Sequence, residues 1–229
     1  MSDFVERLSR KPTDSESTEI QKQLNILEEL RQKTEDLPAD KWQEGLLRLA
    51  PFRLKSSGTL KKGDVESWQQ ANIYVAQKIQ TDQLPTWEDI TQINALLLGS
   101  SHGTLRDKRI FLGPIEACPL EDMERALGCF KEQILHFKQD SNPLIQAALC
   151  QYWLVSIHPF IDANGRTSVL LTDWILGAHG YLPMSFATKL DAIVASLTDG
   201  RASATPGNAI LKLINNVQRS YRLILNEAP

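Results

Sequence analysis

No window of this chain approaches the roughly 18 uninterrupted apolar residues that a membrane-spanning helix requires, so no membrane partner is expected. Cysteine is scarce: Cys118, Cys129 and Cys150 are an odd number with no CxxC pair. That suggests neither a disulfide framework nor a zinc knuckle and makes a reduced cytoplasm the simplest compartment. Excess positive charge is missing as well. A formal charge of −3 and a pI near 5.8 argue against nucleic acid as a partner, because phosphate backbones call for a basic face. The first residues, MSDFVERLSRKPTDSESTE, hold acidic groups and no apolar run, which is not the pattern of a secretory signal. A secretion address read by a dedicated machine leaves no such pattern, so a secreted effector acting in a host cytosol stays open.

What remains is the ordinary balance of a globular protein, with 42% hydrophobic and 23% charged residues over 229 positions. Residues 1–18 read as polar and loose. A helical period over Ile20–Glu35 puts Ile20, Leu24, Leu27 and Leu30 or Arg31 on one face. A short helix is expected over Ala39–Leu49, ended by Pro51, and Lys55–Gly63 reads as a solvated loop. Asp64 can cap a helix through Trp68, Ile73, Val75 and Ile79. Thr86 can cap another, with Ile90, Ile93 and Leu97 inward and Gly99 past its end. Arg109–Gly113 is the one convincing strand, enough for a two-stranded flap.

Leu120–Lys138 is expected to be helical. Ser141-Asn142-Pro143 starts a further helix whose run LIQAALCQYWLVSI is apolar nearly all round and so belongs at the centre of a bundle. A final amphipathic helix carries Ile210, Ile214, Val217, Tyr221 and Ile224. The fold class is mostly α.

The chemistry gathers in HPFIDANGR, residues 158–166. Asn164-Gly165-Arg166 falls where an apolar helix resumes, and free N–H groups at a helix start favour an anion. Arg166 adds a planar fork suited to phosphate oxygens. Asp162 supplies the hard oxygen that Mg²⁺ prefers, although it can also simply cap the helix. His158 can take a proton near neutral pH. These are the parts of a phosphoryl-transfer site. His102, His136 and His179 read as structural, and Phe160 as core.

The same nine residues resemble the Fic family signature, H-x-F-x-[D/E]-[G/A]-N-[G/K]-R-x-x-R, through Arg166. The likeness extends from about Val65 to Leu190, with a flap at Leu105–Gly113 and the GYLP that follows the motif helix. It implies a Fic-type helical bundle with a short β-hairpin flap, organised as an N-terminal helical extension (1–62), a core (63–195) and a C-terminal loop and helix (196–229). It further implies an enzyme that moves AMP from ATP, with Mg²⁺, onto a Ser, Thr or Tyr hydroxyl of a target protein. His158 would be the base and Asp162 the metal ligand. The backbone of Ala163, Asn164 and Gly165, with the Asn164 side chain, would form the anion hole, and Arg166 would grip phosphate. Phe160 would anchor the loop. Arg109, Ile110, Phe111, Leu112 and Gly113 would dock the target by strand addition. A homodimer is left open.

Two departures stand out. The family's second arginine falls at Val169. The family's inhibitory motif has no clean match either; Glu44, before Gly45, is the nearest, and an exposed helix residue is the better reading of it. Without the second arginine, a donor with only a diphosphate, such as CDP-choline, competes with ATP, and a non-catalytic binding module is a further alternative.

Overall fold

A computed structural model describes residues 4–56, 64–81, 83–112, 115–136, 141–185 and 205–228. The expected loop beyond Ser56, Gly113, the end of the Leu120–Lys138 segment and the 195/196 boundary lie outside these residues. The described chain is a helical bundle carrying one two-stranded antiparallel hairpin. No described helix is long and apolar enough to cross a membrane.

Residues 4–18, part of the stretch expected to be loose, are ordered. Helix α1 (Phe4–Leu8) buries both of its end residues in the core. Helix α2 (Asp14–Glu35) begins with a capping box in which the Thr13 hydroxyl accepts from the Glu16 N–H and the Glu16 carboxylate accepts from the Thr13 N–H. Two orphan donors are satisfied at once, which is why so polar a start holds. Ile20, Leu27 and Leu30 of α2 are buried, as their spacing predicts.

Helix α3 (Ala39–Ser56) does not stop before Pro51. Proline removes one backbone donor and crowds one carbonyl, and this bends a helix without always ending it. Gly45 makes the packing of α3 possible, because a Cβ there would sit 2.9 Å from the Ile224 Cα. Helix α4 (Asp64–Gln80) and helix α5 (Trp87–Leu98) follow. Thr86 and Asp89 form a second capping box, and Gly99 closes α5 in the left-handed conformation at φ 61°.

The hairpin is shorter than expected. Strand β1 is Phe111–Leu112, paired with β2 (Ile115–Glu116) in the register Phe111–Glu116 and Leu112–Ile115. Arg109 and Ile110 precede the ladder. The Ala117 N–H still bonds the Ile110 carbonyl (2.9 Å), so pairing tapers off there. Helix α6 (Leu120–Cys129) then widens into a π-helical turn over Phe130–Ile134, where a uniform α-helix was expected. The Leu135 N–H reaches the Phe130 carbonyl five residues back, and both side chains are buried.

Helix α7 (Pro143–Ile157) is the axis of the bundle, with 12 of its 15 residues buried. Asn142 caps it, its side chain accepting from Leu144 and Ile145 N–H, and Pro143 occupies the first turn. Helix α8 (Asn164–Ala178) packs beside α7, and helix α9 (Gly207–Leu225) lies against α2, α3 and α7. Arg48 of α3 donates to the Leu223 and Ile224 carbonyls (2.8 Å each) at the C-terminus of α9, where the helix dipole favours a cation. Cys150 is fully buried on α7, and burial pushes its thiol up to about 12, an unreactive state.

Candidate active site

The HPFIDANGR loop joins α7 to α8 through two backbone reversals. His158 lies in the left-handed region (φ 53°, ψ 56°), as does Ala163 (φ 61°, ψ 13°). Non-glycine residues reach that region at a cost of about 1–2 kcal/mol each, so the surroundings must hold them there.

Three sets of bonds do so. Asn164 reaches back inside the loop: the Phe160 N–H donates to its Oδ1 (2.9 Å) and its Nδ2 donates to the Phe160 carbonyl (2.8 Å). Asn94 of α5, fully buried, donates to the Asp162 carbonyl (2.9 Å) and the Thr167 hydroxyl (3.1 Å). The segment 104–106 runs antiparallel beside 159–161, with Arg106 N–H to Pro159 O at 2.8 Å and Ile161 N–H to Thr104 O at 3.1 Å. Phe160 anchors the loop as expected of a core residue. It is fully buried, stacked on Trp87 with centroids 5.7 Å apart and planes 7° from parallel.

On this frame sit the chemical groups. His158 Nδ1 lies 3.4 Å from the Val155 carbonyl. A carbonyl only accepts, so Nδ1 carries the proton and Nε2 keeps its lone pair. Burial pushes the His158 pKa below its ordinary 6.5, and Arg106 adds to the shift, while the Val155 bond and Asp162 oppose it. The ring is neutral at pH 7, the state a general base needs. Asp162 is exposed, and one of its oxygens accepts the Ala163 N–H at 2.6 Å.

Gly165 and Arg166 are half-buried in the first turn of α8. The N–H groups of Asn164 and Gly165 come before the first helical bond, which Thr167 donates to the Ala163 carbonyl (2.8 Å). The Asn164 side chain departs from expectation. It is 1% exposed and bonded to Phe160, so it closes the loop and leaves any anion contact to the backbone.

Val169 is buried in the apolar core. An arginine at that position would carry its charge out of water at a cost of several kcal/mol unless paired, so the valine suits its surroundings. In the flap, Phe111 is 58% exposed and Leu112 half-buried. Arg109 makes a two-pronged ion pair with Glu116 (2.6 and 2.7 Å) beside the Phe111 ring. Glu44 pairs with Lys41 (3.1 Å) on the exposed side of α3, and its neighbour Gly45 is explained by the approach of α9.

Two residues of the site escaped the sequence reading. Asn94 carried a faint signal, an amide on the buried stripe of α5 beside Ile90, Ile93 and Leu97. Arg106 carried none, since in Leu-Arg-Asp-Lys-Arg it looks like one more solvated charge.

Residues 85–176 match the Fic/DOC family. Among curated proteins, a protein adenylyltransferase Fic from Nematostella vectensis is 35% identical over 111 residues, covering 46% of this chain and 26% of its own length. A uridine 5'-monophosphate transferase from Xanthomonas campestris is 27% identical over 192 residues, covering 74% of this chain and 36% of that protein. The chain thus spans about a quarter to a third of these relatives' lengths. A solved structure of Fic-1 from C. elegans superposes with a TM-score of 0.70 at 19% identity, covering 92% of this chain and 73% of the other. The fold is therefore shared well beyond the matched segment.

Proposed function

We propose that the protein is an adenylyltransferase that moves AMP from ATP onto a Ser, Thr or Tyr hydroxyl of a target protein, within a cytosol. The observation that carries this reading is a neutral, half-buried imidazole at the C-terminus of α7, held six residues before the open N-terminus of α8. His158 Nε2 takes the hydroxyl proton as the oxygen attacks the α-phosphorus. The bond from that phosphorus to the bridging oxygen breaks, and pyrophosphate leaves. Backbone N–H groups at Asn164 and Gly165 and the Arg166 guanidinium hold phosphate oxygens as charge builds, which supplies most of the catalysis in such transfers.

Asp162 fits a divalent cation. It is exposed, with one oxygen bonded only to a backbone N–H. Among the described residues no cluster of three His, Cys, Asp or Glu could hold a metal unaided. Asp162 would hold Mg²⁺ together with the donor's own phosphates and water, the usual mode for that ion. When bound, the ion neutralises charge on the phosphate chain. The flap, with Phe111 outward, is proposed to dock the target as an added strand. The proposed organisation is an extension over 1–62, a core over 63–195 and a C-terminal segment over 196–229.

A second donor is supported by a specific observation. A relative that covers 74% of this chain is named for UMP transfer. Incubation of the purified protein with Mg²⁺ and ATP, UTP or CDP-choline, followed by intact-mass measurement, separates the donors. An AMP increment supports the main reading, a UMP or phosphocholine increment replaces it, and no increment with any donor contradicts transfer.

A further inference from the structure

Arg106 is 3% exposed, yet no carboxylate bridges it among the described residues. Its guanidinium is spent on carbonyls of two different elements. Nε donates to His158 O (2.7 Å) and Nη2 to Ile157 O (3.2 Å), at the end of α7. Nη1 donates to Lys108 O (2.7 Å), before β1, and Nη2 also to Cys118 O, after β2. Backbone bonds run beside it, from Arg106 N–H to Pro159 O (2.8 Å) and from Cys118 N–H to Ser156 O (3.1 Å). One side chain therefore joins both feet of the hairpin to the carbonyl of the base residue.

We infer that Arg106 is a positioning residue that fixes the flap and His158 in one frame, so that a strand docked on the flap presents its hydroxyl in register with the base. This rests on the transfer reading above. The physical grounds are three. A buried cation needs a dense set of acceptors, and the carbonyls at the C-terminal end of α7 supply both acceptors and the negative end of a helix dipole. The His158 carbonyl belongs to a left-handed residue, so its direction depends on an outside donor. Only a planar fork reaches three directions together, and lysine presents a point charge.

The strap predicts a local phenotype. Arg106→Lys and Arg106→Met are compared with wild type by amide hydrogen exchange over 108–118 and 155–161, with 207–225 as the reference helix. ATP affinity with Mg²⁺ is measured by calorimetry and self-labelling by intact mass. Exchange in the first two segments should speed up by about tenfold or more in Arg106→Met and less in Arg106→Lys, with the reference unchanged. ATP affinity should stay within about twofold, while the labelling rate falls by about tenfold or more.

If Arg106→Met does not fold, Arg106→Lys decides alone. Wild-type exchange in a folded variant overturns the inference, and so does a rise that includes the reference helix, since Arg106 would then only stabilise the fold. A loss of ATP affinity matching the loss of rate overturns it too. Selective exchange in a protein whose wild type never labels itself supports the strap and removes the transfer reading instead.

Discussion

Asn164 and Phe160 bond each other twice, the asparagine amide accepting from the Phe160 N–H at 2.9 Å and donating to its carbonyl at 2.8 Å. The amide acts as a surrogate strand partner, folding five residues into a closed turn whose apolar member stacks on Trp87. Replacing Asn164 by Ala leaves two buried backbone groups without partners, at about 1–3 kcal/mol each. Urea unfolding should show a loss of that order. Asn164→Asp, which keeps the acceptor and loses the donor, should fall between. Wild-type stability of Asn164→Ala would contradict this role.

His158→Ala should reduce transfer by about 10²–10⁴-fold while leaving the fold intact. The pH dependence has a definite sign. Burial depresses the folded pKa below 6.5, so the base form persists into mildly acidic solution. Transfer should hold its plateau below pH 6.5 and fall only under the depressed value. Stability follows the same sign: the unfolded chain takes up the proton first, so stability present above pH 6.5 is lost as pH falls toward the folded pKa. A rate that is still climbing above pH 7 would argue against His158 as the base.

Asp162→Ala should weaken nucleotide binding in the presence of Mg²⁺ more than in its absence. Calorimetry in both conditions checks this. Equal losses would make Asp162 a loop former, through its bond to the Ala163 N–H.

Glu44→Gly should change activity little. Its carboxylate is paired with Lys41 on the surface of α3, and such exposed pairs contribute at most about 1 kcal/mol. A severalfold gain in labelling would reveal an inhibitory contact after all.

The sequence was most legible where a single local rule decides. The Thr86 cap, the left-handed Gly99, the Asn142-Pro143 start and the all-round apolar α7 each follow from a few adjacent residues. The nine-residue motif likewise marked out the loop that joins α7 to α8. Ordering of residues 4–18 was hidden because it depends on α1 reaching a distant core and on the Glu16 capping box. The π-turn at Phe130 reflects burial of Phe130 and Leu135 that outweighs local preference, and the helix across Pro51 reflects that a proline need not end one. Asn94 and Arg106 act across 68 and 52 residues of chain, and no window of sequence contains both ends of those bonds. The burial of Val169 belongs to the same class, since only the assembled core shows why an apolar residue suits that turn of α8.

The central claim is that the α-phosphorus of ATP is the atom attacked. The direct measurement is parallel incubation with Mg²⁺ and ATP labelled in the α- or the γ-phosphate, for wild type and His158→Ala. Nucleotidyl transfer predicts stable protein label from α-labelled ATP, none from γ-labelled ATP, and loss of the label in His158→Ala. Label retained from the γ-phosphate, or α-label undiminished in His158→Ala, would contradict it.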